Sequence, residues 1–294
     1  MPFHFKKAEP PARAVRRVCR EHIGEAQVRL RKIRHPAAVH GARKEIKKLR
    51  AIFRLVRREI GRAAYRKAGK ALRRAADQLA APRDARVMFK AFKQLAGRGG
   101  ARRFPIILNA LQKHCRRETR RFQGDDSIAV AERALQKAGR RVAGLKFVAS
   151  GWAAIEPGLR QSYRRGRLAG RLARRQPSPE HFHAWRKEVK TFWHQLRLLC
   201  PDWPASTRLL TDKLNRLCEL LGDDHDLALL KQFVTEQPQT GETAKLNHLI
   251  ETRQKKLRVA ALKLGSQFYK EAPATVCRRL GKDWSAWRGQ DRDK

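Results

Sequence analysis

Acid is scarce in this sequence. Against 69 Lys and Arg stand only 27 Asp and Glu, for a formal charge of +42. Such an excess of one sign repels itself and persists most readily where a polyanion neutralises it. The partner classes this points to are nucleic acid, polyphosphate and anionic membrane. Cysteine is sparse too: Cys19, Cys115, Cys200, Cys218 and Cys277 are odd in number and scattered, without a zinc-ligand spacing. That speaks against a disulfide framework and predicts reduced, mostly buried thiols in a cytosolic compartment. No stretch approaches the ~18 uninterrupted apolar residues of a spanning helix. The opening MPFHFKKAEPPARAVRRVCR lacks the apolar run of a secretory signal, so a soluble intracellular chain is expected. Period-two alternation and Asn-Gly or Asp-Gly turns are absent, which argues against strands. The GxxxxGK[ST], HExxH, GxSxG and GxGxxG signatures are missing, as is the ExExK strand motif of triphosphate-tunnel hydrolases. Catalysis therefore has little to stand on, and no cofactor is implied.

What is present is a repeat. VHGARKEIKKLRAIFRLVR (39–57) lies over FHAWRKEVKTFWHQLRLLC (182–200) at a constant offset of 143, without a gap. His40 meets His183, Arg43 meets Arg186, Lys44 meets Lys187, Lys47 meets Lys190 and Arg54 meets Arg197. At about 100° per residue each copy is a helix with two faces. Ile46, Leu49, Phe53, Val56 and Ile60 make an apolar stripe, repeated by Val189, Phe192, Leu196 and Leu199. Beside it runs a cationic stripe, His40, Arg43, Lys47, Arg50 and Arg54, repeated by His183, Arg186, Lys190 and Arg197. Solvated helix faces normally mix signs to gain i,i+4 pairs, whereas Glu45 and Glu188 lie off these stripes. Two such stripes facing each other need an anion between them.

The rest of the chain reads as helices. After a short mobile lead (1–10) they fall at about 11–34, 37–60 (the first motif helix), 62–80, from 83 onward, 103–122 and 127–148. His35-Pro36 is a break, Gly97-Gly99-Gly100 a loop, and Asp126 or Ser127 an N-cap. The second half restarts at Gly151 with a helix at 153–175. Ser178-Pro179 then starts the second motif helix, and further helices cover 206–221 (stopping at Gly222), 224 onward and 242–271. Pro273 opens a final segment carrying Trp284 and Trp287. LRRAADQLAAPRDARVMF (72–89) overlays LNRLCELLGDDHDLALLK (214–231), setting Arg83-Asp84 on His225-Asp226. The expected architecture is all-α: one domain over 1–294, made of two four-helix bundles (8–149 and 150–294) from an internal duplication, with a basic channel at its centre.

Two further groups bear on a site. LRQSYRRGRLAGRLARR adds Arg160, Tyr163, Arg164, Arg167 and Arg171, which are placed with the anion site. Gly166 and Gly170 on the same helix indicate close packing of a neighbour. Asp224-His225-Asp226 is short of ligands for a metal site and resembles ordinary helix-start capping. No metal is assigned, and Asp84 and Asp226 are expected to hold stripe arginines in position.

These residues resemble the CHAD family, the conserved histidine α-helical domain. The resemblance rests on His40-Gly41-Ala42-Arg43-Lys44 and His183-Ala184-Trp185-Arg186-Lys187 opening the two motif helices. Tyr163-Arg164-Arg165-Gly166-Arg167, Leu221-Gly222-Asp223-Asp224-His225-Asp226-Leu227 and LKLGSQFYKEAP (262–273) add to it, so that it spans roughly 8–290. It implies two bundles clasping a basic channel, binding of inorganic polyphosphate, and association with cytoplasmic polyphosphate granules, without an attached hydrolase domain. The channel residues would be those of the two stripes, with Lys44, Lys187, Tyr163, Arg164 and Arg167, supported by Asp84, His225 and Asp226. This chain has Ala81-Pro82 where its second half has Asp223-Asp224, and Arg50 where the second half has Trp193. The rival readings are a non-specific nucleic-acid binder and a metal-dependent phosphohydrolase at His225-Asp226.

Overall fold

Ser178 and Pro179 begin the second motif helix as their chemistry directs. Ser178 accepts a hydrogen bond from the His181 N–H at 3.2 Å, and Pro179 opens the helix where no N–H is needed. The computed structural model describes residues 2–32, 36–124 and 126–289, and among them all regular structure is helical. In order the helices are α1 (Pro11–Arg31), α2 (Pro36–Leu55), α3 (Arg57–Gln78), α4 (Ala80–Ala96), the short α5 (Gly100–Arg103), α6 (Pro105–Gly124) and α7 (Ser127–Ala143). A 3-10 turn (Gly151–Ala154) leads to α8 (Glu156–Arg175), α9 (Pro179–Leu199), α10 (Ala205–Thr235), α11 (Gly241–Phe268) and α12 (Pro273–Gly289).

The apolar stripes drive the packing. Ile46, Leu49 and Phe53 of α2, and Val189, Phe192, Leu196 and Leu199 of α9, are all essentially inaccessible. Burying each such side chain stabilises by about 1.5–3 kcal/mol. Helices α1, α2, α3 and α7 form one four-helix bundle, and α8, α9, α10 and α11 form the other. The α4–α6 pair packs on α10, while α12 closes over α8. The halves meet where α2 crosses α9. There Gln195 Nε2 donates to the Ala51 carbonyl at 3.1 Å, and Arg54 pairs with Glu188 and donates to the Thr191 hydroxyl.

Several expectations are corrected. α10 runs through Gly222 unbroken. A helical glycine costs only about 1 kcal/mol, and Leu214, Leu217, Leu221 and Leu230 are buried along the same helix. The equivalent stretch of the first half is split between α3 and α4, with Pro82 in the first turn of α4, where a missing N–H is tolerated. The first motif helix ends at Leu55 rather than near 60, and Gly61 (φ 75°) bends the chain just inside α3. The helix expected to reach 148 ends at Ala143. Asp126 holds the N-cap position of α7 without a side-chain cap bond. The break expected at His35-Pro36 falls on 33–35, outside the described residues, as does Asp125. The lead is not loose. Phe3 and Phe5 are buried, the Phe5 N–H donates to the Leu198 carbonyl at 2.8 Å, and Phe3 sits edge-on to His22 and His194. Two aromatics close to the bundle seam outweigh the entropy of so short a segment. All five cysteines are free, and no helix among the described residues is long and apolar enough to cross a membrane.

Candidate functional site

The cationic stripes of α2 and α9 converge with the first turn of α4 and the middle of α10. Lys47 feels the charges of Arg186, Arg83, Arg43 and Lys190, while His40 and His183 both feel Lys47 and Arg83. One cluster thus gathers His40, Arg43, Lys44 and Lys47 from α2, Arg83 and Asp84 from α4, His183, Arg186, Lys187 and Lys190 from α9, and His225 and Asp226 from α10. Helices α2 and α9 bring their cations together because each buries the apolar stripe that runs beside them.

Burial and like charge depress the basic groups. Lys47 is pushed down to about 7, first by burial and then by Arg186, Arg83, Arg43 and Lys190. Burial, followed by Lys187, Arg186, Arg83 and Lys47, lowers His183 to about 4. His225 falls to about 2 by burial and then by Arg186, His183, Arg83 and Lys47. Both rings are therefore neutral at pH 7, and they stack with centroids 4.1 Å apart. A neutral imidazole still offers one N–H donor.

Acid in this region is sparse and already committed. Arg83 donates to Asp84 at 2.7 Å and reaches Asp226 at 3.4 Å, bridging the equivalent carboxylates of the two halves. Asp84 and Asp226 were expected to steady stripe arginines directly. They hold Arg83 instead, because it projects between them, and Asp226 acts on Arg186 only through space. Burial raises the Asp226 carboxyl against the opposing pull of Arg83 and Arg186. Asp224 turns away to Arg258 (2.7 Å) and Gln254 of α11. Asp224 and Asp226 thus serve different helices, and among the described residues no three His, Cys, Asp or Glu side chains are placed to hold a metal. Buried polar atoms are left over: the donors Nε of Arg43 and Nε of Arg186, and Nδ1 of His183, have no partner.

The remaining stripe residues extend the cluster. Lys190 and Arg197 stack over Trp193 at 3.7 and 4.7 Å. Arg50 and Arg54 line a groove of about 610 Å³ between α2 and α3, with Arg66, Lys70, Arg73 and Arg74. These α3 residues were not singled out from sequence, although Arg66, Lys70 and Arg73 keep the same spacing of 4 and 3. Arg83 was missed because its repeat partner is His225, so no matched cation drew attention to it.

None of the five residues expected from α8 is brought to the cluster: Arg160 pairs with Glu156 at 2.8 Å, and Arg171 lines a notch against α11. Tyr163 is inaccessible, packed on Phe192, Phe268 and Tyr269, with its one hydroxyl proton shared between the carbonyls of Phe268 (3.2 Å) and Glu271 (3.1 Å). It is a core residue, and burial pushes its pKa up to about 12. Arg164 is exposed on α8. Arg167 lines the same notch on the far side of α9. α8 turns Tyr163 into the core and Arg167 to the notch beside α11, not to the cluster.

A search of curated proteins finds no match to this chain. Among solved structures, the CHAD domain from the plant Ricinus communis superposes with a TM-score of 0.65 over 92% of this chain and 98% of that one, at 18% identity. That likeness shows a shared fold. The family model of the CHAD domain matches residues 14–235, from within α1 to the last residue of α10 and through both motif helices. This chain belongs to the CHAD family.

Proposed function

We propose that the central cluster binds inorganic polyphosphate, and that the chain works as a binding protein rather than an enzyme. The observation that carries this reading is a half-buried cluster of cations in which Nε of Arg43 and Nε of Arg186 have no acceptor, with Lys47 held at about 7 by burial and by its charged neighbours. Such a cluster is unfavourable when empty and is relieved by a flexible, densely charged anion. Polyphosphate has no base edges, so its recognition reduces to cations that displace counterions, the term that dominates backbone binding in nucleic acids. Arg43 and Arg186 would grip phosphate oxygens, Arg83 would add charge from its place between Asp84 and Asp226, and Lys44, Lys47, Lys187 and Lys190 would add mobile point charges. His40, His183 and His225 would each donate one bond.

On this reading the two halves, 8–149 and 150–294, are duplicated units sharing one channel, extended by Arg50, Arg54 and Arg197. The protein would accompany polyphosphate granules in the cytoplasm. No role in turnover is assigned, since Asp84 and Asp226 are both engaged by Arg83 and a binding site alone gives no preference for a transition state. The test is competition between polyphosphate and duplex DNA for the whole protein at two salt concentrations, with phosphate release followed under added divalent metal. Polyphosphate should displace DNA and release no phosphate. Preference for DNA, or sustained release abolished by Asp226→Asn, would overturn the reading.

A further inference from the structure

On the other side of α9 from the cluster, α8 and α11 leave a notch of about 210 Å³. Arg167, Arg171 and Arg174 line it from α8, and Lys270 lines it just beyond the end of α11. The spacing of 4 and 3 puts the three arginines on one helix face. No carboxylate among the described residues pairs with any of these four cations. The notch exists because of glycine. A Cβ at Gly170 would stand 2.9 Å from the Trp185 Nε1, and one at Gly265 would overlap the same indole. One at Gly166 would overlap the Tyr269 hydroxyl. The helices therefore close on two aromatic rings, which form the inner wall beneath the cations.

Both rings carry a donor with nothing to bond. Trp185 is 1% exposed and Tyr269 is 6% exposed, and neither the indole N–H nor the phenol O–H has a hydrogen-bond partner. Indole is a donor only, so what is missing at Trp185 must be an acceptor. Three guanidinium groups and an ammonium above two unused donors suit a compact group with several charged oxygens, which the fork of arginine matches. A 210 Å³ space holds one or two phosphoryl groups, not a long chain.

We propose that this notch is a second anion site, taking a terminal phosphoryl group independently of the central cluster. The source is either a small free phosphate compound or the end of a longer polyphosphate. Trp185 supplies the means of observation, since a ligand against its edge alters its emission.

The experiment titrates the whole protein with pyrophosphate, then tripolyphosphate, at constant ionic strength set by chloride, following tryptophan fluorescence. The response should be saturable, should persist when the centre is disabled by Arg186→Glu with Lys190→Glu, and should vanish in Trp185→Phe. Arg171→Ala and Lys270→Ala, both at exposed positions, should each weaken it about tenfold without altering the melt. Tyr269→Phe should weaken it several-fold while leaving the free protein at least as stable, because it removes an unused hydroxyl. A response to pyrophosphate identifies a small phosphate as sufficient, and a response to tripolyphosphate alone identifies a chain end. No saturable Trp185-dependent response to either would overturn the proposal. So would a Tyr269→Phe variant that melts lower yet binds unchanged, since ordered water would then be what the hydroxyl serves.

Discussion

α2 and α9 spell nearly the same motif, yet their surroundings differ at almost every matched position. Glu45 of α2 lies inside its bundle, bonded to His22 at 2.6 Å and Lys48 at 2.9 Å, and their protons hold its carboxyl down at about 2 against the effect of burial. Its repeat partner Glu188 reaches across the seam to Arg54. Arg54 is thereby tied down, whereas its partner Arg197 rests on Trp193, the residue that stands where α2 has Arg50. Arg43 spends one guanidinium nitrogen on the Ala76 carbonyl at 2.7 Å, while Arg186 spends its charge on the cluster. A repeated sequence specifies which face is buried. It does not specify what each charge meets, because the crossing of α2 over α9 puts equivalent residues in unlike places.

The comparison can be broken most forcefully by reversing charge on one copy. Arg186→Glu with Lys190→Glu changes the cluster by four units, and polyphosphate affinity should drop roughly 10³-fold with a shallower salt dependence. The matched change in α2, Arg43→Glu with Lys47→Glu, should lose affinity similarly but also lower the melting temperature, since the Ala76 contact goes with it. Titrations at two salt concentrations with parallel melts check both. Equal melting temperatures in the two variants would remove the asymmetry.

The apolar faces should behave alike in the two copies. Phe192→Ala and Phe53→Ala should each cost about 3–5 kcal/mol through the cavity they leave, while any folded protein still binds. Denaturant melts measure the cost. A variant that keeps its stability but stops binding would mean the faces have been exchanged.

These faces were legible in sequence because a 3.6-residue period is local. The Ser178-Pro179 start was legible for the same reason. Tyr163 was not, as it sits only 40° from Arg167 on the wheel, and local spacing cannot say on which side of a boundary the core begins. The continuity of α10 through Gly222 depends on the leucines it buries, which outweigh a single weak helix former. Phe3 and Phe5 lie in a segment too short to show a period. Arg83, the bridge between the two acids, has a partner of another type in the repeat and so left no signature.

A smaller effect comes from protons. Lys47 lies near 7 in the free protein instead of 10.5, and a bound polyanion should raise it again. Affinity should therefore climb as pH falls from about 10 towards 7 and level off below, since the free lysine is then already charged. The gain is roughly tenfold for one unit of restored pKa. The stability of the free protein has the opposite sense in the same window, declining as pH falls from 10.5 to 7, because the unfolded chain holds that proton more tightly. Calorimetry at pH 8 in buffers of different ionisation enthalpy should show proton uptake on binding, and Lys47→Arg should abolish the pH trend. His183, near 4, would act only in more acidic solution.

Least of all, the two copies can be made more alike. Glu188→Gln should cost about 1 kcal/mol, because a partly exposed ion pair is worth little more, and should free Arg54 to bind a few-fold more tightly. Trp193→Arg, restoring the residue of the first copy, should change affinity by less than that, since one cation is gained while Lys190 and Arg197 lose their ring. Direct titration of both variants ranks them.

The docked lead has a consequence for how the chain is made. Phe5 bonds to Leu198, and Arg288 of α12 donates to the Glu9 carbonyl at 2.8 Å. The lead therefore waits for partners nearly two hundred and nearly three hundred positions later in the chain. At a synthesis rate of roughly 5–20 residues per second, Phe5 waits about 10–40 s for Leu198 to be made. The first bundle can assemble early, but its seam is sealed only when α9 and α12 have emerged, which makes the seating of the lead a late step of folding.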